Sequence, residues 1–439
     1  MSVPLDRLYH YIQDVAEQIR GDHVIIYRFY PHGSKNIEDL KMLGDVGPYG
    51  KTLDPEIICY DQEPLNYDFY QCVDAKFNNE YKKIFNVELK IFKSLNLRYL
   101  GYSNMYDKCL LIHSEKNSVE VEKYKNDQFI PVYYWSHALI ARDWFRYAKH
   151  ISIKPEKEQQ EFLIYNRAWG GTREYRIKFV ELLQQNNLHN NCKTSFNSTD
   201  PEHNIHYTNH VFKNVLFKPK IILDTFATTS ASSNSSADFD ISDYANTKFE
   251  VVLETLFDDS RIQLTEKALR PIACGHPFIL ASTTGSLAYL RDYGFKTFDG
   301  IIDESYDLES DPVKRLQMIV VEMKKITQWT AEEQQHNWNK INQITAHNKQ
   351  HFFSEMFENQ IIDELKYNLK TALNELENTN TSKNFLEARK NYYKLIQTID
   401  PVEDENRRKW RKENKEQLMQ TLLKARKYYR RYLKSQRDS

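Results

Sequence analysis

Two stretches of the 439-residue chain combine residue types that bind anions and hydroxyl groups. The first is Asn166-Arg-Ala-Trp-Gly-Gly-Thr-Arg-Glu-Tyr-Arg176. It lies between an apolar run at 162–165 and a helical pattern carried by Ile177, Val180, Leu182 and Leu183. A Gly-Gly turn leading into a helix exposes backbone N–H groups beside the positive end of the helix dipole, an environment that suits phosphate. Arg167, Arg173 and Arg176 add guanidinium donors. The segment is neither a Walker A loop nor G-x-G-x-x-G, and a tight turn with surface arginines accounts for it equally well. The second stretch is Thr247-Lys-Phe-Glu-Val-Val-Leu-Glu-Thr255, followed by Leu264-Thr-Glu-Lys-Ala268 and Pro271-Ile-Ala-Cys-Gly-His-Pro-Phe-Ile-Leu280. Glu254 ends an apolar strand, where a carboxylate can accept hydrogen bonds from ribose or sugar hydroxyls. Thr265 is a natural N-cap with Glu266 and Lys267 in the first turn, and Lys267 there can support a diphosphate. The plain alternative is that Glu254 and Lys267 are an ordinary surface pair.

These groups need elements to hold them. Short apolar runs at 23–30, 56–60, 109–113 and 131–135 alternate with helical text, which predicts a parallel sheet covered by helices. The charged stretch 153–160 reads as a linker, after which the pattern restarts. Further strands are expected at 162–165, 220–223, 249–253, 277–280 and 295–298, with a Ser/Thr/Asn-rich loop at 228–236. From Asp311 the text is almost wholly helical, interrupted at 378–382 and 400–404. The expected organisation is an α/β domain over 1–152, a second over 160–310, helices over 311–378 and a helical extension over 383–439. Ligands of such sheets bind beyond the carboxyl ends of the strands. A hydrophobic fraction of 41% with only 12 Gly and 13 Pro excludes disordered, collagen-like and linker-dominated chains.

In order and spacing, Lys-Phe-x-x-x-x-Glu-Thr, Leu-Thr-Glu-Lys and Pro-x-x-x-Gly-x-Pro-Phe-Ile resemble the donor-binding half of the α1,3-fucosyltransferase family. The resemblance covers about 163–298. It implies a GT-B fold of two facing Rossmann-like domains, with a GDP- or UDP-linked sugar as co-substrate in the second domain and no other cofactor. By that resemblance Glu254 holds the donor sugar and ribose region. Arg176, in an Arg-x-x-Phe-x-x-x-Leu pattern with Phe179 and Leu183, and Lys267 contact the diphosphate. Gln263 stands where the family has an aromatic, which leaves the nucleotide base and the sugar open. Cys59-Tyr-Asp-Gln-Glu-Pro-Leu-Asn66 resembles the segment that supplies the family's general base, so Glu63 is the candidate, with Asp61 second. Asp and Pro are also natural turn residues, and a capped turn explains the same text. Inverting, metal-independent transfer to a glycan is implied, and the basic tail at 407–439 also permits a modified nucleic-acid base as acceptor. A non-catalytic nucleotide or nucleic-acid binder on the same fold is the alternative.

Asp238-Phe-Asp240 has the Asp-x-Asp form of a metal site but lies in the polar loop, so no metal is expected. His113, His137 and His276 lack ligand spacing. Five scattered cysteines, with no C-x-x-C pair, suggest reduced thiols and a soluble cytoplasmic protein. The formal net charge of -1 hides a segregation. Residues 407–439 hold 13 Lys/Arg against Glu413, Glu416 and Asp438, so the remainder has 47 basic and 58 acidic residues. Such a tail can contact nucleic acid or an anionic membrane surface, pack on the acidic body, or simply be solvated.

Overall fold

The computed structural model describes residues 14–15, 17–19, 25–29, 41–42, 57–61, 65, 109–126, 132–223 and 239–378. The chain is mixed α/β, with two sheets built largely from parallel strands. The first sheet comprises β1 (Ile25–Phe29), β2 (Lys41–Met42), β3 (Ile57–Asp61), β4 (Cys109–His113) and β5 (Val132–Tyr134), in the order β2-β1-β3-β4-β5. β3 runs parallel to both β1 and β4, and β2 pairs antiparallel on the edge. Ile-, Leu- and Val-rich runs without alternation are what strands covered on both faces require. The helix α1 (Val119–Asn126) follows β4.

The described residues divide into two compact units, one holding most of this sheet. The other contains His113–Val121 and Tyr134–Asn368. Its elements begin with α2 (Ala138–Trp144), β6 (Gln160–Ile164), α3 (Tyr175–Gln185) and β7 (Cys192–Thr194). A two-stranded hairpin of β8 (Thr199–Asp200) and β9 (Ile205–His206) follows, then α4 (Ile241–Ala245) and β10 (Thr247–Leu253). Next come α5 (Glu266–Cys274), β11 (Phe278–Ala281) and α6 (Ser286–Asp292). Last are α7 (Pro312–Thr327), α8 (Ala331–Phe352) and α9 (Glu355–Asn378), of which this unit holds the part up to Asn368.

The second sheet is fully parallel, in the order β11-β10-β6-β7. α5 packs against α2 and α8, and α3 against α7. Phe162, Phe249, Val251, Ile279, Ile177 and Ile319 are buried between them. The long helices begin where local chemistry dictates. Asp311 caps α7 ahead of Pro312, and Thr330 with Glu333 forms a capping box at the start of α8.

Three expectations are corrected. Residues 220–223 are not a strand: Lys220 N–H donates to Glu181 Oε1 (2.6 Å) and Leu223 N–H to the Tyr207 hydroxyl (2.9 Å). Residues 295–298 are not one either, because Lys296 N–H donates to Asn348 Oδ1 (2.8 Å) and Phe298 N–H to Glu304 Oε1 (2.6 Å). A backbone donor already satisfied by a side chain cannot join a sheet ladder. Residues 153–160 run inside one unit, where Glu156 and Gln160 N–H groups donate to the carbonyls of Ala245 and Asn246. The basic tail 407–439 and the extension from 383 lie outside the described residues. No helix among the described residues is long and apolar enough to cross a membrane.

Candidate functional site

In the parallel sheet the chain moves from β6 to β7 in one direction and from β10 to β11 in the other. The strand order therefore reverses between β6 and β10, and the crevice beyond their carboxyl ends is where open α/β sheets bind ligands. Both motif-bearing stretches arrive there. β6 leads into the Gly-Gly turn and α3, and β10 ends beside Glu254.

The turn is built to hold an anion and holds one from the protein itself. Gly171 has φ of +70°, which glycine adopts without strain. The N–H groups of Trp169 and Gly170 both donate to Asp200 Oδ2, at 2.7 and 2.8 Å. Asp200 Oδ1 accepts from the N–H groups of Glu202 and His203, each at 3.0 Å. Burial alone would raise the Asp200 carboxyl. The hydrogen bonds from Gly170, Trp169 and His203 outweigh it and hold the group well below the usual carboxylate range. A side chain at Gly170 would meet His203, whose Nδ1 lies 2.7 Å from the position of a Cβ there. Arg167 (3.0 Å) and Arg173 both pair with Glu202, so two expected phosphate ligands converge on one carboxylate of the β8–β9 hairpin.

Arg176 is placed differently. It is buried, and its guanidinium donates to the carbonyls of Ala168 (2.7 Å), Leu253 (2.6 Å) and Glu254 (3.1 Å), bridging the β6 turn to the end of β10. Burial pulls its pKa below the ordinary arginine value. Beside it the Tyr175 hydroxyl donates to the Glu254 carbonyl (2.6 Å), and the ring stacks on Phe257. Burial pushes this phenol up to about 12.

Glu254 is fully buried and caps α5 from outside the helix. Its Oε1 accepts from Thr265 N–H (3.0 Å) and Ala268 N–H (3.2 Å). Its Oε2 accepts from the Thr265 hydroxyl (2.7 Å) and Thr255 N–H (3.2 Å). Burial raises its pKa, and the Lys267 charge opposes that rise. Thr265 is the N-cap, its side chain accepting from Lys267 N–H. The Lys267 ammonium reaches Glu266 (2.7 Å) and the Thr265 hydroxyl (3.1 Å). Gln263 donates to the Ser114 hydroxyl at 3.2 Å.

Six of the expected residues thus gather at two adjoining places: Arg167, Arg173 and Arg176 at the turn, and Glu254, Thr265 and Lys267 at the start of α5. Glu266 joins through Lys267. Glu63 lies outside the described residues. The backbone of Asp61 ends β3, in register with Phe29 and Ile112. Asp240 caps α4 through Ser242 N–H (2.7 Å), and Asp238 lies outside the described residues. His276 faces the Tyr244 ring, its Nε2 has no hydrogen-bond partner among the described residues, and burial pushes it down to about 3.

Sequence reasoning missed Asp200, Glu202 and His203. Their signal was present: Thr-Asp-Pro-Glu-His puts two acids and a turn-forming proline in five residues. Asn166, at the end of β6, is fully buried, with neither side-chain amide atom partnered among the described residues. Chemically, the arrangement offers two guanidinium groups and one ammonium to oxyanions at a strand-order reversal, beside two aligned N–H donors that Asp200 occupies. Compared with protein-family models, curated proteins and solved structures, the chain matches none.

Proposed function

We propose that the chain is a nucleotide-sugar-dependent glycosyltransferase of GT-B architecture, whose 134–368 unit binds the donor where strand order reverses between β6 and β10. The observation that carries this reading is the pair of arginines, Arg167 and Arg173, gathered on Glu202 beside a turn whose N–H groups hold a carboxylate. A diphosphate makes the same demand on donors as these carboxylates do. Lys267, at the start of α5, supplies a third cation. In this reading Arg176 and Glu254 act through position. Arg176 holds the β6 turn against β10, and Glu254 fixes the start of α5. The acceptor, a glycan or a nucleic-acid base, and the base Glu63, with Asp61 second, belong to the N-terminal part of the chain. Glu63 takes the proton of the acceptor hydroxyl, whose oxygen bonds to the anomeric carbon from the face opposite the nucleoside diphosphate. The bond from that carbon to the diphosphate breaks, its departure assisted by cations, and the sugar carbon is inverted.

A panel of GDP-, UDP- and CDP-linked sugars followed by thermal shift tests the reading. A matched donor at 100 times its Kd stabilises by about 2.7 kcal/mol. Arg173→Gln should abolish the shift. Glu202→Gln frees both arginines from an exposed pair worth about 1 kcal/mol and should tighten donor binding about fivefold. If no sugar nucleotide stabilises the protein, the donor site does not exist.

A non-catalytic nucleotide binder is the second reading. It is favoured by the commitment of Arg176 and Glu254 to backbone groups. Sugar transfer measured with Glu63→Ala separates the two: an enzyme using this base loses transfer while retaining donor binding.

A further inference from the structure

Residues 203–223 contain Lys213, Lys218 and Lys220 and no Asp or Glu. This break in an otherwise acidic body coincides with unusual exposure. Val211 is 86% exposed, Val215 75%, Ile222 69% and Leu216 56%. Single exposed aliphatics need no explanation, but four within twelve residues, interleaved with exposed lysines, form an apolar and basic surface.

The fold fixes this segment in place. Phe212, Phe217 and Leu223 are buried beneath it. Glu174 accepts from Lys213 and Asn214 N–H groups, and Glu181 accepts from Lys220 N–H. Asn214 caps the short turn at Val215–Phe217 and donates to Asp258 at 2.6 Å. The acids beneath the segment therefore spend their charge inward on its backbone, while the lysines and aliphatic side chains face solvent.

We propose that this surface docks on an anionic phospholipid bilayer. Aliphatic side chains enter the headgroup boundary, while lysine stems lie along them and hold their ammonium groups at the lipid phosphates. A nucleic-acid partner is disfavoured, because stacking needs exposed aromatics and Tyr207, Phe212 and Phe217 are all buried. His210 packs edge-on against Trp169 and its Nε2 donates to Glu174 Oε1 (2.8 Å), so the segment is tied to the anion-binding turn. Docking brings that turn to the lipid surface, and the proposal stands independently of the donor reading.

The test is cosedimentation of the full chain with phosphatidylcholine vesicles, with and without phosphatidylserine. Two exposed-residue variants accompany it: Lys213→Gln/Lys218→Gln/Lys220→Gln and Val215→Ser/Leu216→Ser/Ile222→Ser. Wild type is expected on phosphatidylserine vesicles only. With each lysine worth about fivefold, the lysine variant should lose roughly a hundredfold in partitioning. The serine variant should lose at least about tenfold. If either triple variant melts below wild type, Val211→Ser and Lys218→Gln are read instead, each expected at about a fivefold loss. Three results overturn the proposal: no binding by wild type, wild-type partitioning by the serine variant (which places binding in the basic tail), or variants that weaken duplex DNA binding and leave vesicle binding unchanged.

Discussion

Glu254→Gln distinguishes a ligand-binding carboxylate from a positioning one. Glutamine keeps the volume and one oxygen. With that oxygen at the Oε1 position, the bonds from Thr265 and Ala268 N–H survive as neutral bonds. The amide NH2 then meets Thr255 N–H donor to donor, and the Thr265 hydroxyl must reverse to accept. Hydrogen bonds to a charged group contribute about 1.5–3 kcal/mol and neutral ones about 0.5–1.5. An anion at a helix N-terminus adds up to about 2 kcal/mol. Burial raises the pKa of Glu254, so removing the charge also relieves desolvation. The net expectation is a loss of about 2 kcal/mol, rising to about 3–5 for Glu254→Ala, which leaves the N–H groups unmet.

Urea unfolding at constant m-value measures the loss. Calorimetric titration of the stabilising sugar nucleotide, at a temperature where both proteins are folded, measures binding. A positioning residue gives the stability loss with less than about threefold change in affinity. A residue that grips the sugar gives more than about tenfold, or 1.4 kcal/mol. Wild-type stability in Glu254→Gln would refute the capping role outright.

Two further outcomes follow from buried charge. Asp307 is pushed up to about 6 by burial, against the Leu287 N–H that it accepts, and His276 is pushed down to about 3. The Asp307 contribution is fully present below its unfolded pKa and fades as pH rises through 6. The His276 contribution is present above 6.5 and fades as pH falls. Between about pH 4 and 6 the two slopes, each about 1.4 kcal/mol per pH unit, oppose each other. Asp307→Asn should therefore lose stability on acidification, His276→Gln should gain it, and melts across that window check both; a wild-type profile in either variant contradicts the assignment. In the α5 core, Arg270 pairs with Glu250 at 2.5 Å, Glu250 also accepts from the Tyr244 hydroxyl (2.5 Å), and the guanidinium lies over the Tyr165 ring. Arg270→Met strands a buried carboxylate and should lose about 3–5 kcal/mol, while adding Glu250→Leu should recover most of it in a denaturation cycle.

What could be read from sequence divides along physical lines. Cys109–His113 and the run into Leu253 announce themselves, because strands covered on both faces must be continuously apolar. Lys220–Leu223 and Phe295–Phe298 look the same as text. They fail because Glu181, Tyr207, Asn348 and Glu304, distant in sequence, take their N–H groups. β7 is Cys-Lys-Thr, with no apolar run to mark it. The site shows the same division. That the Gly-Gly turn offers donors to an anion is local chemistry and visible in sequence. That Asp200, thirty residues on, fills it is tertiary. Glu254 and Thr265 were paired by motif order, but only the fold shows the carboxylate spent on N–H groups.

Burial ranks the candidate ligands. Asp200 is buried and accepts from several protein donors, so an incoming phosphate would have to break all of them to reach the two turn N–H groups. Glu202 is exposed and holds its arginines through pairs of the kind worth about 1 kcal/mol or less. Under the proposed donor reading, a diphosphate would therefore displace Glu202 and leave Asp200 in place. The turn's N–H groups then serve to shape the β8–β9 hairpin, and the binding charge comes from Arg167, Arg173 and Lys267. Arg176 and Glu254 cannot change partners without leaving β10 carbonyls or α5 N–H groups unmet in the interior, a loss of about 1–3 kcal/mol for each group. Under the proposed donor reading, ligand binding accordingly moves the solvent-reaching cations Arg167, Arg173 and Lys267 and the hairpin carboxylate, while the buried pair keeps the sheet end and the helix in register.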